Sequence, residues 1–324
     1  MSTILRSLDR DPNKKIKILC CPTHESSQTN MSYIPNIEWY MVTDNQRIKQ
    51  WNFNLKPLPS NFYYYNIPID NMRGDVDFDL IMSNERFGQL PILLNIARGC
   101  KLPILHHEHT SRIPTWGKVQ FENIKQMRAD RHTFISDFSK KAWEGNPEDQ
   151  VIRNMIHDEI FKGWTGTIPR IVTICNLIHE REQFCGGSIW NEVASQFPHK
   201  LIGENPGISQ PAKNTKELVN DLAQSRIYVN TSIYSPFPMS LGEAMMVGMP
   251  IVSTAHQEVP NVLTHGVDAF LTNDPKEMIK YCEVLMKDDE LCKKMGMEAR
   301  KTALKFFSKE EFINKWTKVF REMI

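Results

Sequence analysis

Apolar residues arrive along this chain in short bursts. KIKILCC (15–21), IEWYMV (37–42), DFDLIMSN (77–84), KLPILHHEH (101–109) and HTFISD (132–137) each read as a strand. Between several of them the apolar positions shift to helical spacing, as in GQLPILLNIARG (88–99) and FSKKAWEG (138–145). Near-continuous apolar runs of this length fit strands buried on both faces. Strand and helix in alternation predict βα units, a parallel sheet covered by helices. The rhythm restarts at RIVTICNL (170–177) and continues through HKLIGEN (199–205), RIYVNTS (226–232), MPIVSTA (249–255) and AFLT (269–272). Between the two series, IHDEIFKGWTGTIPR (156–170) has Gly, Thr, Pro and weak periodicity, which places a domain boundary there. The expected organisation is an N-terminal Rossmann-like domain over 1–162 and a C-terminal one over 163–307. The last segment, 308–324, carries apolar residues at 312, 313, 316, 319, 320 and 323, a helical stripe with Ser308 as N-cap and Glu311 completing a capping box. Ligands of such sheets bind outside the carboxyl ends of the strands, here in a cleft between the two domains.

Composition narrows the function only a little. The 324 residues suffice for two domains, with 41% hydrophobic and 24% charged residues and no low-complexity tract. A formal net charge of +1 gives no global attraction to nucleic acid or to an anionic membrane, though a local patch could still provide one. Seven cysteines, an odd number with no C-x-x-C pair, sit in apolar runs and point to a reducing compartment. The polar start LRSLDRDPNKK has no signal-peptide core, and no apolar run reaches 18 residues, so a cytoplasmic location is expected. The sequons at Asn30 and Asn230 then read as chance.

Several stretches carry candidate chemistry. In YSPFPMSLGEAMMVGMPIVST (234–254) a Pro-punctuated loop runs into a helix, with Glu243 expected in its first turn. Backbone N–H groups at a helix start favour phosphate, and a carboxylate there can accept two ribose hydroxyls; a dipole-favoured Glu would look the same. ILHHEHTSR (104–112) ends a strand with three histidines, of which His107 and His109 share a face; a metal pair and a polar strand end are both compatible with that spacing. DVDFD (75–79) contains Asp-x-Asp but runs straight into an apolar strand, as a polar lead-in would. SRIPTWGKVQFENIKQMRADR (111–131) interleaves Arg112, Lys118, Lys125, Arg128 and Arg131 with apolar residues, which suits either the solvated face of a helix or a patch for a phosphate-bearing acceptor, a lipid or DNA.

The stretch SPFPMSLGEAMMVGMPIVST resembles the signature of retaining glycosyltransferases of family 4, which have the GT-B fold; Glu243-Ala244-Met245, Gly248 and Pro250-Ile251-Val252 carry the likeness. HQEVPNVL (256–263), HGVDAFLT (265–272), MGMEARKTALKFFSKEEF (295–312), DRHTFISDFSKKAWE (130–144) and VIRNMIHDEIF (151–161) extend it. The resemblance implies two Rossmann-like domains facing a cleft, with segment 308–324 crossing back onto the N-terminal one. It implies that Glu243 binds the donor ribose, that the backbone of Phe237, Met239 and Ser240 faces the sugar, and that Leu241 and Gly242 face the diphosphate. Ser235 stands where the family has its first Glu, and a hydroxyl cannot clamp two sugar hydroxyls as a carboxylate does. Where the family has Arg and, five residues on, Lys, this chain has Asn176 and Arg181; Arg181 can hold the diphosphate, Asn176 supplies no charge, and His179 is a nearby substitute if protonated. His109 aligns with the family's sugar-facing histidine. The turn PTHESSQ (22–28) lacks the family's glycines, so His24 and Glu25, with His107, are assigned to the acceptor side.

The function implied is metal-independent transfer of a hexose, with retention, from a nucleotide-diphosphate sugar, UDP-linked and UDP-glucose first, to a glycan, lipid-linked or small-molecule hydroxyl. His109 and Arg181 are the catalytic candidates, and no cofactor beyond the donor is implied. Three rivals remain: a non-catalytic nucleotide-sugar binder, a sugar-nucleotide epimerase of the same fold, and a glycosyltransferase acting on a modified base of phage DNA. The last is motivated by a composition rich in Lys, Asn, Ile and Met.

Overall fold

The computed structural model describes residues 14–43, 48–53, 56–66, 72, 74, 76–113 and 116–324. The chain forms two compact units, one made of the residues up to Asn154 together with Glu310–Ile324, the other of Met155–Lys309.

The first unit is built on a seven-stranded sheet in which every pairing is parallel. Its strands are β1 (Ile16–Cys20), β2 (Ile37–Val42), β3 (Phe62–Tyr65), β4 (Leu80–Ser83), β5 (Ile104–Glu108), β6 (Arg131–Phe134) and β7 (Gln150–Val151), and their spatial order is 3-2-1-4-5-6-7. The order reverses between β1 and β4, so a crevice opens beyond their carboxyl ends. β4 and β5 are buried along their whole length, which is why their sequences read as unbroken apolar runs. The two edge strands are not predicted from periodicity. β3 buries Phe62 and exposes Tyr63 and Tyr64, and β7 is two residues long. β5 starts at Ile104 rather than residue 101, because Lys101 ends the preceding helix with φ 54 and Pro103 follows.

Among the described residues this part of the chain forms four helices: α1 (Glu25–Met31), α2 (Gln89–Cys100), α3 (Lys118–Lys125) and α4 (Asp137–Ala142). The segment read as a turn at 22–28 enters α1, whose N-cap is His24, its Nδ1 accepting from the Ser27 N–H at 3.4 Å. Among the described residues of the 111–131 stretch only α3 is helical, and three of its cations are already engaged. The Arg112 guanidinium stacks 4.0 Å over Phe121, Lys125 pairs with Glu144, and Arg131 reaches Glu322 at 2.6 Å. Asp75 of DVDFD lies outside the described residues; Asp79 accepts the Lys17 N–H at 2.9 Å and Asp77 pairs with Lys17, as a strand lead-in does. The helix Lys309–Met323 (α12 in chain order) supplies Trp316 and Phe320, both fully buried, with Phe320 5.8 Å from Trp39 of β2.

The second unit holds a five-stranded parallel sheet: β8 (Ile168–Ile174), β9 (His199–Ile202), β10 (Ser225–Asn230), β11 (Ile251–Ser253) and β12 (Phe270–Leu271), in the order 12-11-10-8-9. Here the order reverses between β8 and β10. The helices are α5 (Glu182–Cys185), α6 (Gly187–Ala194), α7 (Thr215–Gln224), α8 (Met239–Val247), α9 (Val259–Val262), α10 (Pro275–Lys287) and α11 (Asp289–Phe306). α8 is apolar on nearly every face, with Leu241, Ala244 and Met245 fully buried, so it forms the centre of this core. It ends at Gly248, with φ 91, beside Gly296 of α11, where an added Cβ would lie 2.1 Å from the Gly248 carbonyl oxygen. Both sequon asparagines are buried, and Asn230 Nδ2 donates to Ser253 Oγ at 2.8 Å.

Candidate functional site

The carboxyl edge of the second sheet, at its strand-order reversal, is formed by the residues that follow β8, β9 and β10. After β8 the chain turns through Cys175, Asn176 and Leu177, the last with φ 52, into α5. Arg181 stands exposed at the N-cap of α5, its backbone N–H bonded to Leu177 O at 2.9 Å and its guanidinium carbon 5.8 Å above the Phe184 ring. The loop that leads to α8 is tied to this turn, because the Ile233 and Tyr234 N–H groups both donate to Phe184 O, at 2.9 and 3.0 Å. Ser235, Phe237, Met239 and Ser240 are half-buried along that loop and the helix start. Phe237 stacks against Phe307 at 5.1 Å.

α8 begins at Met239, directly after Pro238, so Glu243 is its fifth residue and lies in the second turn rather than the first. A proline fits just before or within a helix start because no N–H is needed there, and the helix therefore opens directly after Pro238, a full turn before Glu243. Leu241 and Gly242 direct their N–H groups to Pro238 O at 3.1 and 3.3 Å, so Met239 and Ser240 are the helix-start donors that precede the first intrahelical bond. Gly242 packs closely against Ile156, which an added Cβ would meet at 2.4 Å. Glu243 is half-buried and lies near the fully buried Tyr228. Burial pushes the Tyr228 hydroxyl up, Ser240 hydrogen-bonds to it and works downwards, and the Glu243 charge adds to the rise.

Asn176 has a structural task. Its Oδ1 accepts the Glu204 N–H at 2.9 Å, while Leu177 N donates to Glu204 O at 2.9 Å. Beside it, Asn205, only 1% exposed and not singled out from the sequence, accepts Ile178 N–H at 2.8 Å and donates to Cys175 O and Ser209 Oγ, each at 2.8 Å. These bonds stitch the Arg181-bearing turn to the loop after β9. His179 lies beside this stitch against the start of α6, 6.2 Å from Trp190. Asn205→Ala removes both the acceptor and the donor at a buried position. A stability loss of about 2–4 kcal/mol is expected from urea unfolding, with Asn205→Asp intermediate. A loss under about 0.5 kcal/mol would show that water replaces the side chain.

The carboxyl edge of the first sheet gathers the histidines. Glu108, at the end of β5, is 1% exposed and saturated: Arg86 and His106 bond one oxygen, and the Thr110 N–H and hydroxyl bond the other at 3.1 and 2.6 Å. Burial alone raises its carboxyl, but the His106, Arg86 and Thr110 partners reverse that and hold it well below the usual carboxylate range. His106 Nδ1 in turn meets Ser83 Oγ at 3.1 Å, and the Arg86 guanidinium lies 4.3 Å over Trp143. His107 is buried, bonded to Thr133 Oγ1 at 2.9 Å, and wedged between His109 at 4.5 Å and Trp316 at 4.9 Å.

His109 sits at the rim above this layer. Burial, helped by neighbouring His24, lowers its imidazole to about 3, so it is neutral at physiological pH and can offer one N–H and one lone pair. His24 is likewise lowered, chiefly by burial. Glu25 is turned towards the following loop, where Lys49 Nζ at 2.7 Å and the Asn52 N–H at 3.1 Å occupy its oxygens. The structure therefore brings His24, His107 and His109 together and leaves Glu25 committed to Lys49. Among the described residues no group of three or more His, Cys, Asp or Glu could hold a metal ion.

Two parallel-sheet α/β units, each with its strand-order reversal, define the GT-B fold. Residues 200–302 match the family model described as Glycosyl transferases group 1. Among curated proteins, the N-acetyl-alpha-D-glucosaminyl L-malate synthase of Bacillus anthracis is 28% identical over 105 residues, a match spanning 32% of this chain and only 28% of that enzyme. Among solved structures, Anabaena HepE in complex with UDP-glucose aligns with a TM-score of 0.73 at 15% identity, covering 95% of this chain and all of that one. Sucrose-phosphate synthase from Thermosynechococcus elongatus aligns with a TM-score of 0.67 at 11% identity, covering 95% and 99%. Likeness at these identities is likeness of fold.

Proposed function

We propose that this protein is a retaining glycosyltransferase that moves a hexose from a nucleotide-diphosphate sugar, UDP-glucose first, to a hydroxyl of a glycan, lipid-linked or small-molecule acceptor. The observation that carries this reading is the arrangement at the second sheet's carboxyl edge: an exposed Arg181 on a turn tied through Phe184 to the loop that opens α8. Of these, the loop and α8 with Glu243 fall inside the residues that match the family model, and Arg181 precedes them. The UDP-glucose complex of HepE supports the choice of donor.

In this reading Glu243 takes the ribose hydroxyls. Arg181 and the N–H groups of Met239 and Ser240 stabilise the charge that builds on the departing diphosphate. That is the main electrostatic task, because the leaving group carries the developing charge. The acceptor attacks from the leaving-group face and its proton passes to the departing phosphate, so no protein base is assigned. His109, neutral, orients the sugar by hydrogen bonding, with His24 and His107 beside it on the acceptor side. No described helix is long and apolar enough to cross a membrane, which is compatible with soluble substrates and with an acceptor presented at a surface.

Thermal-shift titration with UDP, GDP and ADP tests the donor. UDP is expected to raise the melting temperature, and Arg181→Ala to weaken UDP by about tenfold or more, the value of one charge-assisted contact. If no nucleotide shifts the protein, the proposal fails; if GDP or ADP alone does, the donor is reassigned. The commitment of Asn176 to Glu204 leaves Arg181 as the one cation of the expected pair, which favours a non-catalytic binder as the second reading. Enzyme-dependent release of UDP from UDP-glucose, with acceptors screened, separates the two.

A further inference from the structure

The first unit has a cavity at its sheet's amino edge, opposite the end that carries His24, His107 and His109. The residues leading into β4, β5 and β6 line it, with the loop before β7 and the end of α12. Its volume is about 1040 Å³. Small-molecule sites run from roughly 300 to 1,000 Å³, so there is room for several linked rings.

Two of the lining groups are buried, and the proposed transfer uses neither. His132 is 8% exposed and Asp149 9%. His132 Nε2 accepts the Ala129 N–H at 3.0 Å, so the neutral ring carries its hydrogen on Nδ1. One Asp149 oxygen accepts the Asn146 N–H at 2.7 Å. Among the described residues nothing accepts from His132 Nδ1 or donates to the second Asp149 oxygen. Burial lowers the His132 imidazole to about 3 and raises the Asp149 carboxyl. The loop around Asp149 is already fixed, because Lys140 Nζ donates to Pro147 O at 3.0 Å and to Asp149 O at 2.5 Å.

At the rim, Lys101, Arg128 and Glu148 are exposed and enter no ion pair among the described residues. Arg128 is thus a cation of the 111–131 stretch that the fold leaves available. The lining has six carboxylates against four lysines and arginines, so an anionic ligand would meet more like charge than opposite charge. A hydroxyl both donates and accepts, and so suits carboxylates, an imidazole N–H and a guanidinium together.

We propose that this cavity binds a short neutral oligosaccharide, whose hydroxyls donate to Asp149 and accept from His132 Nδ1 and Arg128. β5 separates the cavity from the histidines of the carboxyl edge by about 17 Å, its five residues at roughly 3.3 Å each. The cavity therefore holds a glycan apart from the reacting centre. The inference does not rest on the donor reading, because no nucleotide enters it.

The test is calorimetric titration of the full chain, without nucleotide, with maltotriose, cellotriose and triacetylchitotriose. At least one is expected to bind with a Kd below about 1 mM. Arg128→Ala, at an exposed position, and Asp149→Asn, which keeps an acceptor for the Asn146 N–H, should each weaken it about tenfold. Melting temperatures of both variants show that the fold is kept; if Asp149→Asn melts early, Arg128→Ala alone decides. Binding unchanged in the intact variants would place the glycan elsewhere and overturn the proposal. So would the absence of binding by all three trisaccharides at millimolar concentration. Tighter binding of glucose 6-phosphate or spermidine than of any trisaccharide would assign the cavity to a charged ligand and overturn it as well.

Discussion

Glu108→Leu is expected to lower the stability of the first unit by about 3–5 kcal/mol, the cost of leaving a buried charge without its partner. Arg86 is 3% exposed, and its other neighbours are the Ile124 and Met127 carbonyls at 3.4 and 3.3 Å and the Trp143 ring. Those can share hydrogen bonds, but they cannot neutralise a guanidinium. The double variant Arg86→Met, Glu108→Leu should recover most of the loss, because burying the pair has its own desolvation penalty. Urea unfolding of the three variants is the measurement, and a single-variant loss under about 1 kcal/mol would mean that water reaches Arg86.

The same layer sets the response to acid. His109 and His132 have folded-state values of about 3, lowered by burial, against roughly 6.5 in the unfolded chain. Between those limits the unfolded state binds more protons, so their contribution is complete above about pH 6.5 and falls as the pH drops towards 3. Glu108, whose folded-state value is depressed, adds stability above its unfolded value near 4.3 that is lost as pH falls further. Melting temperature should therefore begin to decline at a pH where carboxylates alone would still hold it level. A flat profile from pH 7 to 5 would show that these imidazoles are not excluded from protonation.

Glu243→Ala is expected to weaken UDP by roughly 100- to 20,000-fold. Two ribose hydroxyls donating to one carboxylate make two charge-assisted bonds of about 1.5–3 kcal/mol each, and their sum corresponds to that range. Glu243→Gln keeps one acceptor and should lose about tenfold. The informative comparison is 2′-deoxy-UDP, which should lose affinity for the wild type and show little further loss in Glu243→Ala, since the partner is already gone. Calorimetric titration reads both arms. If the variant melts lower but binds UDP unchanged, Glu243 serves the core beside Tyr228 and the ribose must be held elsewhere.

The strands were legible as runs where they are buried on both faces, which holds for β4 and β5 throughout and for the later residues of β1, β8 and β10. β3 was not, since an edge strand that exposes two tyrosines has no need of alternation. In the candidate site, Arg181 and Glu243 could be singled out because local spacing and a family resemblance mark them. Their supports could not. Asn205 looks like any loop asparagine until its three partners, 4 to 30 residues away in sequence, close around it. Ser83, Arg86, His106 and Glu108 likewise become one network only when β4 and β5 lie side by side. Glu25 shows the opposite case: a conspicuous charge at the right turn, committed to Lys49.

The bond from Asn176 Oδ1 to the Glu204 backbone also bears on redesign. A repair by analogy would put arginine at position 176 to restore the family's pair of cations. That change would deprive the Glu204 N–H of its acceptor and free one strut of the frame that carries Arg181, so the charge gained would come with a misplaced partner. An arginine at 176 would therefore need the loop after β9 to close in another way, with a new acceptor for the Glu204 N–H.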